Sequence, residues 1–84
     1  MRIQAKCIKE TYTWEGDGEQ HKFPYVKLGL VYTFDVEFTP EFTPSPTYWL
    51  NKSLLPNKQD YEFIDCTRRG LETKYFYEMF EVIK

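Results

Sequence analysis

Leu30-Val31-Tyr32-Thr33-Phe34-Asp35-Val36-Glu37-Phe38 decides the fold class. Leu30, Tyr32, Phe34, Val36 and Phe38 take every second place, and Val31, Thr33, Asp35 and Glu37 fill the rest. Successive strand residues point to opposite faces, so this spacing gathers the large apolar side chains on one face. The residue types agree, because aromatic and β-branched side chains suit a pleated, half-buried surface. Gly29 stands just before the stretch, in Lys27-Leu28-Gly29-Leu30, where a turn enters the strand.

Upstream, Arg2 to Lys9 alternates as well. Ile3, Ala5 and Cys7 point one way and Arg2, Gln4 and Lys6 the other, as in a half-buried strand. Ile8 breaks the pattern and marks a bulge or the strand end. Glu10 to Gln20 reads as a loop: it holds Gly16 and Gly18, its only charges are Glu10, Glu15, Asp17 and Glu19, and Trp14 lies in its middle.

Downstream, Thr39 to Thr47 carries Pro40, Pro44 and Pro46, which exclude an interior strand or helix. This segment reads as a stiff connector, partly extended in the polyproline manner, with Phe42 tucked back onto the body. Tyr48, Trp49 and Leu50 begin another short strand, and Pro56-Asn57 marks a turn. Tyr61 to Cys66 is a further strand, with Tyr61, Phe63 and Asp65 on one face and Glu62, Ile64 and Cys66 on the other; alternation leaves its buried face open. Arg68-Arg69-Gly70 reads as a turn. Thr73 is placed to cap a short helix over Lys74 to Phe80, whose Phe76, Met79 and Phe80 share one apolar face. Two helical turns cannot stand alone and must dock. Val82 and Ile83 supply a last strand.

The chain has 84 residues, which allows one domain, residues 1–84. A domain of this size needs a dense core. Seven Phe, seven Tyr and two Trp make 19% of the chain aromatic, which supplies that core and excludes intrinsic disorder. The expected core is Ile3, Ala5, Tyr32, Phe34, Val36, Phe63 or Ile64, Phe76 and Phe80. The pattern predicts a mainly β domain: a small five-stranded antiparallel barrel, SH3-like or OB-like, with one short helical turn near the C-terminus. Closure would remove exposed strand edges.

Three stretches resemble small SH3-like β-barrel proteins of phages and prophages. They are Ala5-Lys6-Cys7-Ile8-Lys9, the step Lys27-Leu28-Gly29-Leu30-Val31-Tyr32, and the closing run Tyr75-Phe76-Tyr77-Glu78-Met79-Phe80-Glu81-Val82-Ile83. The connector at Thr39–Thr47 departs from the shorter hairpin of that group. The resemblance implies a barrel fold, a mobile-element setting and an interaction module, in some cases aimed at host proteins; it implies no catalytic residue.

Eleven Lys and Arg against thirteen Asp and Glu leave a net charge of −2, which opposes duplex-DNA binding. No apolar run approaches a membrane span, since Asp35 and Glu37 interrupt the longest, and the start MRIQAKCIKE has no apolar signal region. Cys7 and Cys66 are too few and too far apart for a disulfide scaffold or a zinc knuckle. They read as reduced, buried thiols of a cytoplasmic protein.

Signals for chemistry are few. Asp17, Glu19 and His21 form an Asp-x-Glu-x-His run, but no second His stands at ligand spacing, so a solvated acidic loop is favoured over a metal site. Ser45 and Ser53 lack a nucleophile turn, Glu62 and Asp65 face opposite ways, and the glycines match no phosphate loop. The expectation is a non-enzymatic protein with no catalytic residue, no metal and no cofactor. Its function is expected to be binding another protein, a host protein if the resemblance holds. The bet for the surface is Trp14, Glu15, Asp17 and Glu19 with Tyr48 and Trp49. Trp is a strong interface anchor, and carboxylates steer a basic partner. Against this stands a Trp14 that folds inward to plug one barrel end. A homodimer on the same apolar residues is a rival. The alternative function is single-stranded nucleic-acid binding, with Tyr48, Trp49, Tyr61 and Tyr75 stacking bases and Arg68, Arg69 and Lys74 as the basic contacts.

Overall fold

The decisive stretch forms a strand, and Tyr32, Phe34 and Val36 face inward as expected, whereas Phe38 lies past the strand end and is 60% exposed. In the computed structural model, which describes residues 1–38, 46–57, 59 and 69–83, this strand, β4, spans Val31–Glu37. Tyr32 and Phe34 are buried and Val36 packs partly buried against them. Gly29 adopts φ 88, a left-handed conformation open to glycine, in a turn closed by the Leu30 amide on the Lys27 carbonyl.

Six more strands are present among the described residues: β1 (Arg2–Cys7), β2 (Thr11–Thr13), β3 (Gln20–Lys22), β5 (Thr47–Leu50), β6 (Arg69–Glu72) and β7 (Phe80–Val82). Five of the seven make one antiparallel sheet in the order β6-β5-β4-β1-β7, curled into a half-barrel, and β2 and β3 form a separate hairpin. β1 ends at Cys7, so Ile8 marks the strand end and stands exposed. Cys7 is buried as a free thiol.

Cross-strand register sorts the faces. Ile3 opposes Phe34, which opposes Leu50; Val36 opposes Tyr48, which opposes Leu71; Ala5 opposes Tyr32. These are the inner rows. The outer face carries Arg2, Asp35, Trp49 and Gly70 in a single row, and Gln4 beside Thr33.

The inner face is covered by α1 (Thr73–Met79), which buries Tyr75, Phe76 and Met79. Phe76 stacks on Tyr48 at 4.0 Å and 10°, and meets Phe34 edge-on at 5.0 Å. Phe34 also meets Phe80 at 4.7 Å. Core residues beyond the expected set are Cys7, Phe23, Val26, Tyr48, Leu50, Leu55, Leu71, Tyr75 and Met79. One buried polar side chain joins them among the described residues: Asn57 accepts from the Tyr32 hydroxyl at 3.0 Å.

Four expectations are corrected. Glu10 to Gln20 is not all loop, because Thr11–Thr13 pairs with Gln20–Lys22. Arg69 and Gly70 are not a turn but the start of β6, paired with Leu50 and Trp49. Thr73 does not cap the helix: Glu72 is the N-cap residue, without a side-chain cap, and the Thr73 hydroxyl donates instead to the Pro46 carbonyl at 3.1 Å. Phe80 leaves the helix and opens β7. The Pro40 and Pro44 connector with Phe42, the Tyr61–Cys66 strand with Phe63 and Ile64, and Arg68 lie outside the described residues.

Phe34→Ala removes a fully buried ring that touches two others. The loss is about 3–5 kcal/mol, a large share of the stability of so small a domain. A urea melt should show the variant unfolded or nearly so; a parental midpoint would mean that β4 faces the other way.

Candidate functional site

The hairpin carrying Trp14 is built from short pieces. Thr11 opposes Lys22, Tyr12 opposes His21 and Thr13 opposes Gln20. The Trp14 amide donates to the Glu19 carbonyl at 3.0 Å, which extends the ladder by one residue. The Gly18 amide then donates to the Trp14 carbonyl at 2.7 Å, with Gly18 at φ 69. Only a residue without Cβ takes that conformation cheaply, and so a tight acidic tip forms here.

Alternation puts Tyr12, Trp14, Glu19 and His21 on the same hairpin face. His21 lies between the two large rings, stacked on Tyr12 at 5.9 Å and edge-on to Trp14 at 5.7 Å. Its Nε2 pairs with Asp17 Oδ2 at 2.8 Å. Asp17 Oδ1 accepts from the Glu19 amide at 2.8 Å. That amide bond, and then the His21 contact, hold the Asp17 carboxyl below its ordinary range. The Trp14 indole lies against Gly16, where an added Cβ would stand 2.7 Å from the ring. Trp14 is still 47% exposed, so it does not plug the barrel end.

The base of the hairpin is pinned to α1 by one carboxylate. Glu78 accepts from the Thr13 amide with both oxygens, at 3.0 and 2.9 Å, from the Thr13 hydroxyl at 3.1 Å and from Lys9 Nζ at 2.9 Å. The amide bonds, followed by Lys9, push its pKa down. Nearer the tip, the Glu15 amide donates to the Tyr75 hydroxyl at 3.3 Å. The Glu15 carboxylate pairs with Lys74, whose ammonium also stands 3.7 Å from Glu72 and 5.2 Å from the Tyr75 ring centroid. The Glu15 contact raises the Lys74 pKa.

Tyr48 and Trp49 do not share a surface. Neighbours on a strand face opposite ways. Tyr48 is buried on Phe76, and burial, with the hydrogen bond to Tyr77, pushes its phenol up to about 12. Trp49 lies half-buried on the outer face, its ring across Gly70, where a Cβ would meet it at 2.8 Å. Trp14 sits beside α1, which covers the inner face, so the two tryptophans do not form one patch.

The basic set is not assembled either. Lys74 is engaged by Glu15 and Glu72, the β6 backbone of Arg69 pairs with Leu50, and Arg68 lies outside the described residues. Of the four proposed base-stacking rings, Tyr48 and Tyr75 are buried and Tyr61 lies outside the described residues. Asp17 and His21 meet as a pair, but among the described residues no three of His, Cys, Asp and Glu stand together as a metal site. No helix among them is long and apolar enough to cross a membrane.

Sequence reading missed Glu78, Lys9 and Thr13. Glu78 stands two positions from Phe76, on the other side of the helix, and its partners lie 65 and 69 residues away in the chain. No local pattern reports such a contact.

A carboxylate with a depressed folded pKa stabilises the fold above the ordinary glutamate range. That contribution fades as pH falls through the depressed value. Glu78→Gln should lower the urea midpoint at about pH 7 and leave a smaller change between about pH 7 and about pH 3 than the parent shows. Equal midpoints at neutral pH would show that the pin contributes nothing. Gly16→Ala is expected to keep the fold while shifting Trp14 emission, because only the ring has to move; unchanged emission would contradict the contact.

No family model matches this chain, and neither a curated protein nor a solved structure matches it.

Proposed function

We propose that this chain is a non-enzymatic protein-binding module that engages its partner through the tip of the β2–β3 hairpin. The observation behind this reading is a half-exposed Trp14 held in place before any partner arrives. Gly16 backs its ring, His21 braces its edge, and Glu78 fixes the strand that carries it. A large side chain that is already ordered loses little entropy on binding, and Trp is an effective interface anchor. Glu15, Asp17 and Glu19 follow it in the exposed hairpin tip and favour a basic partner surface.

The bet on Tyr48 drops out of this surface, because the ring is core, and Trp49 belongs to the outer sheet face. The proposal keeps a cytoplasmic, mobile-element setting and a host protein as partner, resting on the three sequence stretches that resemble phage barrels. Single-stranded nucleic-acid binding has less support, with two of its rings buried and Lys74 held by carboxylates.

Affinity capture from a bacterial lysate tests the reading, with the parent, Trp14→Ala, and a Glu15→Gln/Asp17→Asn/Glu19→Gln variant, each checked for a parental circular dichroism spectrum. The parent should retain a protein that both variants lose. Retention of every partner by both variants would overturn the site. A dimer that persists on dilution, with no partner captured, would make the surface an assembly interface.

A further inference from the structure

The chemistry of the hairpin tip narrows what it takes. Two of its carboxylates are already used. Asp17 is tied to His21 and to the Glu19 amide, and Glu15 is tied to Lys74. Glu19 differs: it is exposed, and among the described residues its carboxylate makes no ion pair. It stands opposite Trp14 in the extended ladder, on the same face as the indole. The Gly16 and His21 contacts fix that ring, yet nearly half of it remains open. An open, braced indole on the same hairpin face as a carboxylate without an ion pair is complementary to a flat cation.

We propose, resting on the hairpin-tip reading above, that Trp14 and Glu19 form a subsite for an arginine side chain of an extended, basic segment in the partner protein. The guanidinium plane stacks on the open side of the indole while its N–H fork donates to the Glu19 carboxylate. A lysine ammonium is a compact, strongly hydrated charge that can use the carboxylate but stacks less well. Citrulline keeps the planar shape and N–H donors but lacks the charge, which weakens both contacts. The tip itself shows the pattern, since the Lys74 ammonium sits among Glu15, Glu72 and the Tyr75 ring a few residues away. One exposed stacking contact and one carboxylate pair are individually weak. Affinity for a short probe is therefore on the order of millimolar, and a full partner adds the rest through other contacts.

The test is a ¹⁵N NMR titration of the intact chain with blocked Gly-Arg-Gly-Arg-Gly peptide and its lysine and citrulline counterparts. The arginine peptide should shift the Trp14 indole N–H and the Gly16, Gly18 and Glu19 amides saturably. The lysine peptide should bind about threefold more weakly, and citrulline should leave those signals in place. Glu19→Gln should weaken the arginine peptide about threefold with the rest of the spectrum unchanged. Equal responses to arginine and citrulline, shifts confined to the outer sheet face, or no response up to about 10 mM would overturn the subsite. The two proposals fail separately. Loss of lysate capture in both hairpin-tip variants with no arginine preference would sink the subsite alone, whereas retained capture in both would sink the hairpin-tip reading.

Discussion

Seven residues of helix have no stability of their own, and what holds α1 in place is the burial of Phe76. Its ring is fully buried, stacked on Tyr48 from β5, edge-on to Phe34 from β4 and stacked on Phe80 from β7. One side chain thus ties the helix to the middle, one flank and the far edge of the sheet. Each aromatic pair adds roughly 0.5–1.5 kcal/mol beyond the area it buries. The curl of the sheet brings these rings within reach of one another. Without that docking, residues 73–79 would have no reason to be helical, and everything the helix supports would lose its base.

What the helix supports is the hairpin. Two strands of three residues each are too short to persist alone in water. Glu78 and Tyr75 supply the missing support from α1, by hydrogen bonds to Thr13 and Glu15 and by ring contact with Tyr12. The chain of dependence runs from Phe76, through the opposite face of the same helix, to the strand leading into Trp14. The position of the candidate anchor is set by the core, although the anchor itself lies outside it.

How much of this the sequence shows follows from the physics of each element. β4 and β1 are legible because each has one dry face and one wet face, and the two-residue period records that difference directly. β2 and β3 leave no such record. Thr-Tyr-Thr and Gln-His-Lys are too short and too polar, and their partners are held by side chains distant in sequence. Gly70 misleads for another reason. Beside two arginines it looks like a turn, yet it lies within a strand, paired with Trp49, whose ring takes the space a Cβ would fill. Thr73 misleads because its hydroxyl finds a carbonyl brought in by a different segment. Tyr48 and Trp49 are the opposite case. Once they are on one strand, adjacent residues cannot share a face, so a joint Tyr48–Trp49 surface was excluded by the period itself.

Polar bonds also hold Tyr32, whose ring meets Phe80 edge-on at 6.2 Å. Tyr32 is buried in the core with its hydroxyl at the far end of the ring. A buried hydroxyl without partners is costly, and here it accepts from the Lys27 amide at 2.6 Å and donates to Asn57 at 3.0 Å. Asn57 in turn donates to the Tyr25 carbonyl at 3.3 Å. Tyr25, whose carbonyl joins this set, adopts φ 75, a conformation that costs a bulky residue roughly 1–2 kcal/mol. Lys52, over the Tyr25 ring at 4.1 Å, offsets part of that cost. An apolar residue in place of Asn57 would remove the Tyr32–Asn57 bond, while Tyr25 would keep its strain. The left-handed tyrosine therefore belongs with the satisfaction of the core and needs no separate functional account.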